Sequence, residues 1–157
     1  MTKSLLFVCL GNICRSPAAE AVFLHQAKIK GLEGKYLVDS AGTGNWHQGS
    51  KADSRMRKAA LKRGINIESR ARQIVLDDFQ LFDLILTMDN SNLADVKSLS
   101  KQNKNQITST IRPLLSFSKK TSLVEVPDPY YGGENGFDDV IDLIEGAIES
   151  LFEFLKN

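Results

Sequence analysis

The chain opens on an apolar run, Leu5 to Leu10, that Gly11-Asn12 closes at once. Such a run, bounded by a glycine turn, predicts a short buried strand over Ser4 to Val8. Ser16-Pro17 then predicts a helix start, with Ser as N-cap and Pro at the first helical position. That helix is expected to reach about Lys30, where Gly31 supplies a stop. Tyr36 to Ala41 predicts a second strand, and Gly42, Gly44 and Gly49 mark a long loop after it. A helix from about Asp53 to Arg63 follows, closed by Gly64. Leu84 to Met88 predicts another strand, and a helix begins near Ser91. The polar stretch Lys101 to Gln106 reads as loop, and Leu123 to Val126 as a last strand. From Gly136, the residues Val140, Ile144, Ala147, Ile148, Leu151 and Leu155 recur at helical spacing, which predicts a long amphipathic terminal helix.

Strands alternating with helices predict an α/β domain with a mostly parallel sheet. In such sheets ligands bind beyond the carboxyl ends of the strands. The segments Cys9 to Arg15 and Pro127 to Gly133 both leave strands at that end, so the topology can bring them together.

A length of 157 residues fits one domain over the whole chain, 1–157. Hydrophobic residues at 42% and charged residues at 25% are ordinary for a globular fold. Twenty Lys and Arg against nineteen Asp and Glu leave a net charge of +1, which gives no support to nucleic-acid binding. The apolar runs are far short of the ~20 residues that span a membrane. Lys3 and the run behind it are too short for a signal peptide, so a cytoplasmic protein is expected. The charge is uneven. Arg55, Arg57, Lys58, Lys62, Arg63, Arg70 and Arg72 face only Glu68 in their stretch, whereas nine acidic residues from Glu125 onward face one Lys156. Solvated helix faces explain this pattern, and so does a partner surface.

The two cysteines, Cys9 and Cys14, make no disulfide framework and have no zinc-ligand spacing around them. What sets Cys9 apart is the segment it begins: Cys9-Leu10-Gly11-Asn12-Ile13-Cys14-Arg15-Ser16, after a strand and before a helix. A tight turn there aims backbone N–H groups inward as an anion cradle, and the helix dipole adds positive potential. Gly11 and Asn12 tolerate the left-handed angles such a turn needs. Arg15 can grip two phosphate oxygens with its guanidinium fork, and the Ser16 hydroxyl can donate to the Cys9 sulfur. A thiolate in that nest is placed to attack phosphorus in line. Asp128, held between Pro127 and Pro129, is the candidate proton donor to a leaving phenolate. Tyr130 and Tyr131 beside it could wall a slot for an aromatic ring.

In these residues the chain resembles the low-molecular-weight protein tyrosine phosphatase family. The likeness runs from Val8-Cys9 through Pro17, Asp39-Ser40-Ala41-Gly42, Ala71-Arg72-Gln73 and Met88-Asp89 to Asp128-Pro129-Tyr130-Tyr131-Gly132-Gly133, over essentially the whole chain. It implies a four-stranded parallel twisted sheet flanked by helices, with the phosphate-binding loop after the first strand. It implies Cys9 as nucleophile, Arg15 as phosphate ligand and Asp128 as general acid, then general base. Asn12 and Ser16 would support the loop together with Ser40. Leu10, Ile13, Trp46, Tyr130 and Tyr131 match positions lining the substrate cleft, and Cys14 reads either as a small apolar filler or, as the resemblance implies, as a redox partner of Cys9. The resemblance implies no cofactor and no metal, with inorganic phosphate or another oxyanion in the loop. The partners expected are phosphotyrosine proteins, with no nucleic acid or membrane, and the chain a monomer or weak dimer.

One departure stands out: many relatives have a histidine where this chain has Ser69. His25, on the first helix, reads as a surface or packing residue, and His47 as a candidate contact at the cleft rim. Three rival readings are an arsenate reductase, a protein-arginine phosphatase and a non-catalytic phosphate-binding protein. The first needs further cysteines, and none follows Cys14. Relatives with the second preference carry threonine where Ile13 stands. The third is disfavoured by the joint presence of Cys9, Arg15 and Asp128.

Overall fold

The computed structural model describes residues 1–104, 106–129, 133 and 135–156. Its elements are β1 (Ser4–Cys9), α1 (Arg15–Ile29), β2 (Leu37–Gly42), α2 (Ser54–Leu61), α3 (Asp78–Leu81), β3 (Leu84–Thr87), α4 (Asn90–Ser100), β4 (Thr110–Pro113), a 3-10 turn (Leu114–Phe117) and α5 (Gly136–Leu155). The four strands form one parallel sheet in the order β2-β1-β3-β4.

Strand β1 is buried along its whole length because it is covered on both faces. Its side chains alternate accordingly. Leu5, Phe7 and Cys9 face a core shared with α1, α2 and α5, whereas Leu6 and Val8 face a smaller core containing Ile74, Phe79, Phe82 and Val96. In the larger core Phe23 of α1 stacks on Phe152 of α5 with ring centroids 4.4 Å apart. Each such fully buried side chain contributes about 1.5–3 kcal/mol. The expected amphipathic face of α5 is the buried one, although Leu155 is only half-buried at the C-terminal end.

The strand order runs outward from β1 in both directions, which makes the carboxyl end of β1 the switch point of the sheet. The Cys9–Arg15 segment leaves the sheet there.

Two expectations need correction. Leu123 to Val126 is not a strand. Leu123 and Val124 are exposed, and only Val126 enters the interior, its N–H donating to the Met88 carbonyl at 2.7 Å. The fourth strand is Thr110–Pro113, an edge strand where Pro113 is tolerated and where one face of Ile111 packs, so no apolar run announces it. The start of α1 also differs. Arg15 is its first residue and Cys14 its N-cap, without a side-chain cap, and Ser16 and Pro17 lie inside the first turn. The Ser16 hydroxyl is instead bonded to Cys9 and Asn12. Helix α3 was not anticipated, being a single turn.

Candidate active site

The loop between β1 and α1 is held from outside by its carbonyls. Thr43 N–H donates to the Cys9 carbonyl and Gly44 N–H to that of Leu10, both at 2.9 Å, and Asp53 N–H to that of Ile13 at 2.8 Å. Among the described residues, none of the backbone N–H groups of Gly11 to Cys14 donates to a protein acceptor. Carbonyls turned out and N–H groups turned in make an anion nest, continued by the first turn of α1. Asn12 has φ of 56°, the left-handed conformation expected for it. Among the described residues it is the only one other than glycine with positive φ.

Asn12 is fixed through its side chain. Its Oδ1 accepts from the Arg72 N–H at 3.0 Å, and its Nδ2 donates to Ser16 Oγ at 2.8 Å and Ser40 Oγ at 3.0 Å. Both hydroxyls already accept from Asn12, so their own protons point away from it. The Ser40 proton goes to Glu20 Oε1 at 2.6 Å. Ser16 Oγ lies 3.0 Å from Cys9 Sγ, and its proton is shared between that sulfur and the Ala41 carbonyl at 3.4 Å. Cys9 is only 2% exposed at the cleft floor. Arg72 is itself anchored by a double contact to Asp78 and one to Asp39, all at 3.0 Å.

Glu20 was not singled out in the sequence. Its signal is an acidic residue standing among Ala18, Ala19, Ala21 and Val22, all buried. Burial raises its pKa above the ordinary 4.5, against hydrogen bonds from Ser40 and Ser69 that hold it down. Ser69, at the position of the departure noted above, thus serves the same carboxyl that orients Ser40.

Arg15 is 3% exposed. Its Nη1 donates to Asp89 Oδ2 at 2.7 Å and to the Val126 carbonyl at 2.9 Å, and its Nη2 lies 3.8 Å from Asp128 Oδ2. Asp89 also caps α4 by accepting from the Asn92 N–H. It is the second residue missed as functional, and its signal is an acid at the start of a helix just beyond a central strand.

These side chains meet in one cleft of ≈ 330 Å³, lined by Cys9, Leu10, Gly11, Ile13, Cys14, Arg15, Trp46, His47 and Asp128. Leu10 and Trp46 are exposed, as walls of a mouth should be. His47 reaches the rim, whereas His25 is half-buried on α1 and lines a separate groove. Tyr130 and Tyr131 lie outside the described residues. Cys14, at the end of the loop, is buried, and burial, together with the charges of Asp53 and Cys9, pushes its thiol up to about 12. Across the cleft wall, β2 ends against the loop: a Cβ on Gly42 would stand 2.7 Å from the Leu10 carbonyl oxygen and 3.1 Å from the Asn12 nitrogen. Among the described residues no group of three or more His, Cys, Asp or Glu is placed to hold a metal. None of their helices is long and apolar enough to cross a membrane.

Comparison with known proteins matches residues 4–157 to the low molecular weight phosphotyrosine protein phosphatase family. The chain is 44% identical over 154 residues to the low molecular weight protein-tyrosine-phosphatase YfkJ of Bacillus subtilis, covering 98% of this chain and 96% of that protein. Its structure is similar to a crystal structure of a protein tyrosine phosphatase from Entamoeba histolytica, with a TM-score of 0.92 and 46% identity over 99% of this chain and 97% of the other. It is also similar to a Drosophila arginine phosphatase, with a TM-score of 0.93 and 32% identity over 100% and 99% of the two chains.

Proposed function

The chain belongs to the low molecular weight phosphotyrosine protein phosphatase family, and from that premise we propose that it hydrolyses phosphotyrosine in proteins through a cysteinyl-phosphate intermediate. Phosphate oxygens lie against the N–H groups of the loop and the free edge of the Arg15 guanidinium. The Cys9 thiolate attacks phosphorus, the P–O bond to the phenol breaks, and Asp128 gives its proton to the departing oxygen. Water then attacks the phosphorus of phosphocysteine while the Asp128 carboxylate takes its proton, and phosphate leaves as the Cys9 thiolate returns.

The observation that carries this reading is the convergence of Asp128 with the Cys9–Arg15 loop, from two distant parts of the chain, on one cleft. Ser16 stabilises the thiolate and Asn12 and Ser40 keep the loop in its turn. The apolar wall formed by Leu10, Ile13 and Trp46 favours an aromatic phosphoester. A guanidino-phosphate substrate would be served better by a hydroxyl where Ile13 stands. Cys14, a protonated thiol close to Cys9, is the group that would trap an oxidised Cys9 as a disulfide.

Cys9→Ser tests the reading. Turnover of p-nitrophenyl phosphate and phosphotyrosine peptide should be lost, because a hydroxyl is a poor nucleophile at neutral pH. Phosphate binding, measured by calorimetry, should remain. Appreciable turnover by this variant would remove Cys9 from its role.

A further inference from the structure

Helix α2 is tied to the catalytic loop at its N-terminal end, where the Asp53 cap donates its N–H to Ile13. Its inner residues Met56, Ala59 and Ala60 are buried. Its outer face carries Arg55, and one and two turns further on Lys58 and, just past the helix, Lys62. Together with Ala59, Phe137, Gly133 and Asp138 they line a groove of ≈ 500 Å³. The groove lies beside the proton-donor loop, since Gly136 at the head of α5 packs on Pro129, the neighbour of Asp128.

The cations of this groove differ in how their charge is met. Arg55 is held by both oxygens of Asp53 and lies over the Phe137 ring, 4.8 Å from its centroid. Asp138, the acid in the groove, is 3.5 Å from Arg63, which also binds Asp142 and Glu145. Lys58 and Lys62 are exposed, and among the described residues the side chain of neither makes a hydrogen bond or ion pair. Two like charges one turn apart repel each other, a cost with no local return. Two other exposed lysines are paired, Lys119 with Glu153 and Lys120 with Glu149.

We propose that the Lys58–Lys62 face of α2 docks an acidic segment of the phosphoprotein substrate, flanking the phosphotyrosine that enters the cleft. The inference rests on the phosphatase reading above and adds the class of sequence selected. The phosphate fixes the tyrosine over Cys9, and carboxylates a few residues away along an extended peptide reach the two ammonium groups. Such contacts are solvent-exposed, so they act mainly on KM and are screened by salt.

The test compares two phosphotyrosine peptides of equal length, one with glutamates flanking the phosphotyrosine and one with glutamines in their place. Wild type should prefer the acidic peptide by roughly 3- to 10-fold in kcat/KM at low salt, the size expected from two exposed ion pairs. The preference should shrink at high salt. The double variant Lys58→Glu/Lys62→Glu should lose or invert it, Lys58→Gln/Lys62→Gln should lose it, and both should keep wild-type turnover of p-nitrophenyl phosphate. A charge-matched control, Lys119→Glu/Lys120→Glu, at the two lysines that pair with Glu153 and Glu149 of α5, should retain the preference. Equal kcat/KM on the two peptides in wild type, or a preference that survives both double variants, overturns the docking proposal and leaves the phosphatase reading intact. Absence of turnover on p-nitrophenyl phosphate by wild type overturns the phosphatase reading itself.

Discussion

Asp89 holds one end of the Arg15 guanidinium, 2.7 Å from Oδ2 to Nη1, while the other end faces Asp128 across the cleft. The arginine is thus divided in two. One half is spent on positioning, and the other is aimed at where an oxyanion would sit. A buried guanidinium that kept its freedom would cost side-chain entropy each time it met substrate.

This division predicts a separation of activity from stability in Asp89→Asn. Asparagine caps helices as well as aspartate does, so α4 should keep its start. With its one oxygen on the cap, asparagine turns its NH2 toward Arg15, so the charge-assisted bond is lost, about 1.5–3 kcal/mol, or roughly 10- to 100-fold in kcat/KM. Steady-state kinetics with p-nitrophenyl phosphate and a melting curve check it together. An equal fall in Tm and activity would make Asp89 a folding residue only.

Asp128→Asn should be selective for the leaving group. General acid catalysis is worth roughly 10²–10⁴-fold where the leaving oxygen needs a proton. Tyrosine's phenol, of pKa about 10, needs one; p-nitrophenolate departs far more readily. The variant should therefore lose much more activity on phosphotyrosine peptide than on p-nitrophenyl phosphate. Equal losses would leave Asp128 with only a shaping role.

How far the chemistry was legible in the chain depends on distance along it. The cradle was readable because strand, turn, nucleophile, arginine and helix start are consecutive, and each local preference agrees with the others. Asp89, Glu20 and Arg72 were not assigned roles, because they act through partners 74, 20 and 60 residues away respectively, and no spacing encodes such a meeting. Strand β4 escaped for a related reason. An edge strand buries one side chain in two at most, and Leu123 to Val126 offered a more apolar stretch of which Leu123 and Val124 nevertheless lie on the surface.

Cys14 should stay silent until Cys9 is oxidised. With its thiol pushed up to about 12, iodoacetamide at neutral pH should label Cys9 and spare Cys14. Peroxide should inactivate wild type, and dithiothreitol should restore most activity, with the oxidised protein two hydrogens lighter. Cys14→Ser should begin with substantial activity, gain oxygen on peroxide treatment and recover poorly. Equal recovery of the two proteins, read by intact mass and assay, would return Cys14 to packing.

Glu20→Gln separates the charge of that carboxyl from its acceptor. A carboxyl whose pKa is raised by folding binds its proton more tightly in the native state, so it favours folding at low pH and opposes it once ionised. Glutamine keeps an oxygen for the Ser40 proton and does not titrate. The Tm of wild type relative to the variant should therefore fall as pH rises from 4.5 through the raised value. A pH-independent difference would mean that Glu20 is not raised. If the carboxylate also orders the Ser40–Asn12 chain, the variant's kcat should vary less steeply with pH than that of wild type.

Gly42 gives the cleft a determinant of another kind. The loop's turn is pressed against a strand end that carries no side chain, and even a methyl group there would collide with the backbone of Leu10 and Asn12. The spacing of the anion cradle is thus written partly in a hydrogen atom on a neighbouring strand, at a position that never meets the substrate. Substitution there would disarm the enzyme with every reactive group still in place, and a survey of nucleophiles, acids and cations would pass over the cause.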